Sequence, residues 1–306
     1  MTVGAHSVRT ALSPPSAFAS FALLALVAVP WLAITSLTAR EQSAGERTLI
    51  FSALDEAGKP VKDIRTDEIL IREDGVDREI VSVKPSTETL NIVLLADTTA
   101  AVDEMLLDVR KALIAFVNQV HAVSPTAQIS LMEFGQAAVT AVPFTTSGAD
   151  LEKGINRLSG KPRSASVLLE AINAASNNLA KRPSPRRAIV SLNIEPGDEQ
   201  SREDPKRIVE SLRKSLAQLW SLSIQKGGLK NAQRDVVLNV FTKNTGGSRE
   251  YIVSQSAMAT YLTNYADALT SQYEATYKRP AAKAQAVQIG VTRPGVKLHA
   301  SGFAPQ

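Results

Sequence analysis

Between residues 90 and 277 the chain alternates short, uninterrupted apolar runs with longer stretches whose apolar residues recur every three or four positions, and few folds accept that rhythm. Asn91-Ile92-Val93-Leu94-Leu95-Ala96 carries no charge and no polar alternation, as a strand covered on both faces requires. The next stretch sets Val102, Met105, Leu106, Val109, Leu113, Phe116, Val117 and Val120 along one helical stripe. Residues 129–134 and 139–144 read as a strand pair around Gly135-Gln136. Helices are predicted over 151–158 and 167–179, and a second buried strand over 188–192. Ile208, Val209, Leu212, Leu216 and Leu219 mark a further helical face, after which Trp220, Leu222 and Ile224 alternate as a strand. Val237, Leu238 and Phe241 fit a helix ending at Thr245-Gly246-Gly247, where glycine supplies the left-handed stop. Met258, Tyr261, Leu262, Tyr265 and Leu269 define a last helix. This order predicts an α/β fold, a mostly parallel sheet with helices on both faces.

The flanks read differently. Residues 48–83 are strand-like, with a turn at Asp55-Glu56-Ala57-Gly58-Lys59-Pro60 and a second at Glu73-Asp74-Gly75. Asp-Gly between apolar residues is a strong hairpin signal, with Ile69-Leu70-Ile71 before it and Ile80, Val81 and Val83 as the return strand. The tail turns to strand again at Ala286-Val287-Gln288-Ile289-Gly290-Val291 and over 296–300. Neither piece is long enough to hold a core without metal or disulfide, and the chain has no cysteine. They are therefore expected to pack together as one small β-sandwich-like domain, with the α/β domain inserted between them. The expected division is 1–40 as a signal or membrane anchor, 41–47 as a linker, 48–86 and 279–306 as the two parts of the β-domain, and 87–278 as the α/β domain.

Residues 17–39 carry no charge, and a helix needs about 20 apolar residues to cross a bilayer. Arg9 and the amino terminus precede the run, the flank expected on the cytoplasmic side. It reads as an export segment, either retained as a cytoplasmic-membrane anchor or cleaved near Leu37-Thr38-Ala39. The expected location is the cell envelope or beyond it. A chain free of cysteine suits that compartment, because it is indifferent to redox state.

In open α/β sheets, ligands sit beyond the carboxyl ends of the strands, and Asp97-Thr98-Thr99-Ala100-Ala101 occupies that place after the first one. Here the chain resembles the von Willebrand factor A family, whose metal-ion-dependent adhesion site begins with Asp-x-Ser-x-Ser after an apolar strand. Residues 48–83 and the closing Gln272-Tyr273-Glu274-Ala275-Thr276-Tyr277 and Val291-Thr292-Arg293-Pro294-Gly295-Val296 are similar to a bacterial group of that family first noted in acidobacteria. The resemblance implies a Rossmann-like domain that binds a protein partner and is not an enzyme. It also implies a metal site, carried over residue by residue. Asp97 matches the first acid and Thr99 the first hydroxyl, while Ala101 stands where the second hydroxyl belongs. Ser166 falls where the family has a threonine, and Asn193 where it has a second aspartate. Divalent cations such as magnesium want oxygen ligands including carboxylates, so Asp97, Thr99, Ser166 and Asn193 form a weak or vestigial set, holding no cofactor or at most weak magnesium.

Other chemistry is thin. His6, His121 and His299 are far apart, and no phosphate-cradling Gly-Lys-Ser/Thr loop or Gly-x-Ser-x-Gly elbow occurs. Thirty-four basic residues against thirty acidic, mixed along the chain, exclude a nucleic-acid patch. Glu195, Asp198 and Glu199 read as a solvated acidic loop with the capacity to supply a substitute ligand. Three readings follow: a binding or adhesion module, a structural part of an envelope complex that binds no metal, and a metal-assisted hydrolase using Asp97 and that loop.

Overall fold

The computed structural model describes residues 45–280 and 283–305, so the uncharged run at 17–39 lies outside the described residues. In chain order the strands and helices are β1 (Gly45–Leu54), β2 (Ile69–Glu73), β3 (Val76–Arg78), β4 (Ile80–Pro85), β5 (Asn91–Ala96), α1 (Leu106–Val123), β6 (Gln128–Glu133), β7 (Val139–Thr145), α2 (Gly148–Arg157), α3 (Leu168–Leu179), β8 (Arg187–Glu195), α4 (Pro205–Ser215), β9 (Gln218–Gln225), α5 (Ala232–Thr245), β10 (Arg249–Ile252), α6 (Met258–Thr270), β11 (Tyr273–Arg279), β12 (Val287–Val291) and β13 (Lys297–Ala300).

A six-stranded sheet in the order β10-β9-β8-β5-β6-β7 forms the centre, parallel except for β7. Period-two alternation along β5 sends Ile92, Leu94 and Ala96 into one core with α1, α2 and α6, and Val93 and Leu95 into a second core with α3, α4 and α5. The unbroken apolar run is thus the mark of a strand buried on both faces. α5 ends at Gly246, whose φ of +69° is the left-handed stop read in the sequence.

Two antiparallel sheets accompany the central one, β13-β1-β11-β4 and β12-β2-β3. Their strands come from both sides of the α/β stretch, and Leu49, Phe51, Ile69, Ile71, Tyr273, Tyr277 and Val287 share one core.

Four elements differ from the sequence reading. Asp74 and Gly75 both have positive φ, the signature of a tight two-residue turn, so the return strand is the short β3. Ile80 and Val83 instead lie in β4, which crosses to pair with β11. Gln272 is followed directly by β11, which also pairs with β1, so that segment joins the antiparallel sheet. Leu216 and Leu219 continue the spacing of α4 but leave the helix: Leu216 turns left-handed with φ 53° and Leu219 enters β9. β10 escaped sequence reading because its four residues, Arg-Glu-Tyr-Ile, sit at a sheet edge without apolar patterning.

Candidate functional site

β5, β6, β8 and β9 all end on the same side, and the loops that leave them build the site. Alternation carries Asp97 to the α3–α5 face, after Val93 and Leu95. Its carboxylate is buried and folded back on the backbone: Thr99 N donates to Oδ1 at 2.8 Å and Ile194 N donates to Oδ2 at 2.9 Å. Burial pushes this carboxyl above its ordinary value, against the pull of those two donors, the Thr99 hydroxyl and the positive Arg234. Thr98 closes the turn, accepting from Gly135 N on Oγ1 at 3.0 Å. A side chain at Gly135 would put its Cβ 2.7 Å from the Thr98 carbonyl oxygen, so the β5 and β6 turns touch backbone to backbone.

Asn193 lies on the same sheet face. β8 runs further than its apolar half, and Ser191, Asn193 and Glu195 alternate toward α5 beside Ser221 and Ser223 of β9. The Asn193 amide donates to Ser223 Oγ at 2.8 Å and to Glu195 Oε1 at 3.2 Å, and its oxygen accepts from Ser221 Oγ at 3.1 Å. These buried groups form a polar ladder that replaces apolar packing at this end of the core. Ser166 reaches the site from the segment before α3. Its backbone bonds to Asp198 and Gln200, and its hydroxyl donates to Glu199 Oε2 at 3.1 Å.

The acidic loop is not solvated as its composition suggests. Glu195 and Glu199 have side chains only 0% and 6% exposed, and of the three acids Asp198 alone faces solvent. They turn inward because of a residue absent from the sequence reading, Arg234 in the first turn of α5. Its guanidinium is wholly buried. Nε donates to Glu195 Oε1 at 3.2 Å, and Nη2 lies 2.8 Å from Glu195 Oε2 while donating to the Ile194 carbonyl at 2.9 Å. Nη1 donates to Ser166 Oγ at 3.0 Å and to Glu199 Oε2 at 3.4 Å. Asn231 caps α5 by accepting from Arg234 N, and donates to the Gly197 carbonyl at 2.8 Å, so one residue sets both the helix and the acidic loop.

The sequence-read residues are thus joined indirectly. Asp97 and Thr99 bond directly, Ser166 and Asn193 connect through Arg234 and Glu195, and Asp97 meets that network at Ile194. Ala101 is half-buried and packs against the α1-side core. His121 and His299 bond the carbonyls of Ala127 and Gly247, and His299 stacks on Trp220. Among the described residues no group of three or more His, Cys, Asp or Glu is placed to hold a metal ion. The capping Asn231 makes α5's start legible, but nothing in the sequence separates a buried arginine in a first turn from an exposed one.

No curated protein matches the chain in sequence. Solved structures share its fold. A von Willebrand factor type A protein from Catenulispora acidiphila is similar with a TM-score of 0.50 at 11% identity, covering 87% of this chain and 74% of that one. BatB from Bacteroides thetaiotaomicron gives 0.45 at 13%, covering 60% and 100%. Proximal thread matrix protein 1 from the mussel byssus, with a zinc-occupied MIDAS motif, gives 0.49 at 9%, covering 66% and 50%. The family model for the von Willebrand factor type A domain matches residues 91–267, from the first strand of the central sheet into its last helix, and the chain belongs to that family.

Proposed function

We propose that this protein is an exported von Willebrand type A module that docks a protein partner on the loops beyond β5, β8, β9 and β10, over a degenerate metal-ion-dependent adhesion site. Modules of this family generally mediate protein–protein contact or adhesion. The observation that carries the reading is three exposed apolar side chains at that end of the sheet. Leu229 after β9, Val253 after β10 and Leu107 on the first turn of α1 are each more than half exposed, at 61%, 72% and 69%. Lys226 and Glu104, 2.7 Å apart, tie the loop after β9 to the turn before α1, so the first and third of these belong to connected loops. Exposed apolar residues framed by polar ones are what a partner buries.

Degeneracy of the metal site is supported by its donor chemistry. Ala101 offers no oxygen, both Asp97 oxygens already accept backbone N–H groups, and Asn193 is committed to the ladder. Of the four residues matched to the metal set only Asp97 brings a charge, where a divalent cation asks for several oxygen ligands including carboxylates. The residues present do not fit a firmly held metal. The uncharged run at 17–39 supports export, with retention in the cytoplasmic membrane or release after cleavage.

Photo-crosslinking in cells of the source organism tests the docking face. A crosslinker at Leu107, Leu229 or Val253 is expected to capture one protein repeatedly, and the same probe at Lys181, at the opposite end of the strands, is not. Capture from Lys181 alone would move the contact to the far end and favour an assembly part of an envelope complex. Alkaline extraction of membranes followed by amino-terminal sequencing separates anchor from cleaved signal.

A further inference from the structure

We propose that the Arg234 guanidinium is the resident cation beneath this site, supplying the positive charge that a divalent ion supplies in a complete adhesion site and making partner binding independent of divalent cations. The inference rests on the docking reading above and deepens it.

The charge arrangement carries it. Two carboxylates, Glu195 and Glu199, are buried at the end of the sheet where a ligand is expected, and buried carboxylates need a positive partner. The cation they share is Arg234, a side chain of the protein itself, with Arg249 3.8 Å from Glu195 as a second and more distant one. The oxygens turned on Arg234 are a carboxylate pair from Glu195, a second carboxylate from Glu199, the Ser166 hydroxyl and the Ile194 carbonyl. That is the donor chemistry of a hard-cation shell, gathered on a planar guanidinium. Space is closed as well. A Cβ on Gly197 would lie 2.2 Å from Nη1, so the backbone of the acidic loop is wrapped directly against the guanidinium. An arginine stays charged at any physiological pH and does not leave on dilution or chelation, unlike an ion. The cation that ties Ser166 to the acidic loop is therefore always in place.

Thermal melts and calorimetric titrations of the full chain with MnCl2 and MgCl2 test this. The wild-type protein is expected to show no binding heat and the same Tm with either salt or with EDTA. Arg234→Ala opens a cavity bounded by Glu195, Glu199 and Ser166, and Mn2+ is expected to bind there and raise Tm by several degrees, whereas NaCl of equal ionic strength does not. Arg234→Lys keeps a charge without the fork and is expected to melt between the two, with a smaller response to Mn2+. Should Arg234→Ala not fold alone, recovery of its helical signal on refolding with MnCl2 supports the proposal, and failure with Mn2+, Mg2+ and Ca2+ alike overturns it. A wild-type protein that binds Mn2+, or a folded Arg234→Ala indifferent to it, overturns it too. Crosslinking at the rim reads the partner and not the charge, so either result stands or falls separately.

Discussion

The central sheet has a buried arginine at each end, and the two solve opposite problems. Arg234, at the carboxyl ends of the strands, meets two carboxylates, a hydroxyl and one carbonyl. Arg186, at the start of β8, meets no carboxylate by hydrogen bond. It donates to Gln272 Oε1 and to the backbone carbonyls of Ser86, Glu88, Leu269 and Thr270. Those carbonyls belong to the two connections between the central sheet and the antiparallel strands β4 and β11, so Arg186 knots the crossing points of the chain. Burial lowers its pKa to about 10, with only a partial offset from the charges of Glu274 and Glu88. One end thus stores opposed charge under the loops at the carboxyl ends of the strands, and the other spends a cation on holding backbone. The difference teaches that burial of an arginine says little until its acceptors are named.

Removing each side chain should separate the two roles. Arg234→Met leaves Glu199 without its cation and Glu195 with only the more distant Arg249, and breaking a buried pair from one side costs about 3–5 kcal/mol, read from the urea midpoint. Arg186→Met strands only carbonyl oxygens, with an expected loss of roughly 2–3 kcal/mol. Equal losses in the two variants would erase the comparison.

A third arginine calibrates the acid limb. Arg293 donates to Glu68 Oε1 at 2.9 Å and holds the Glu68 carboxyl down at about 2, well below its ordinary 4.5. A folded-state pKa below the unfolded value adds stability above pH 4.5 that is lost as pH falls toward 2. Arg293→Ala should remove that contribution, raising the pH of acid unfolding. The smallest effect belongs to the exposed pair at the rim. Lys226→Ala, which frees Glu104, should cost under ~1 kcal/mol, and less in high salt, because exposed ion pairs are screened. A larger loss would show that the loop pairing is a structural requirement of the docking face.

Much of the fold was legible because burial on both faces leaves a periodic record. β5 reads as an apolar block, α1 as a stripe, and the end of α5 as glycine, each for a local reason. The second half of β8 was not legible, since Asn193 and Glu195 look like loop residues until Ser221, Ser223 and Arg234 satisfy them. The acidic loop misled for the same cause: Glu195 and Glu199 carry the composition of a surface, and only a buried cation reverses that. The return strand after Asp74-Gly75 was misplaced because a turn signal fixes where the chain reverses and not which sheet the following residues join.

By itself the sequence determined the helix-flanked parallel sheet, the place of Asp97 after its first strand, the missing hydroxyl at Ala101 and the uncharged run near the amino terminus. These are properties of neighbours along the chain, written in hydrophobic period and side-chain chemistry. Tertiary structure alone decided that Arg234, thirty-nine residues beyond Glu195, stands among the acids, and that Arg186 joins carbonyls more than eighty residues apart from it. Charge compensation and hydrogen-bond satisfaction are settled between segments distant in the chain, so no local pattern records them.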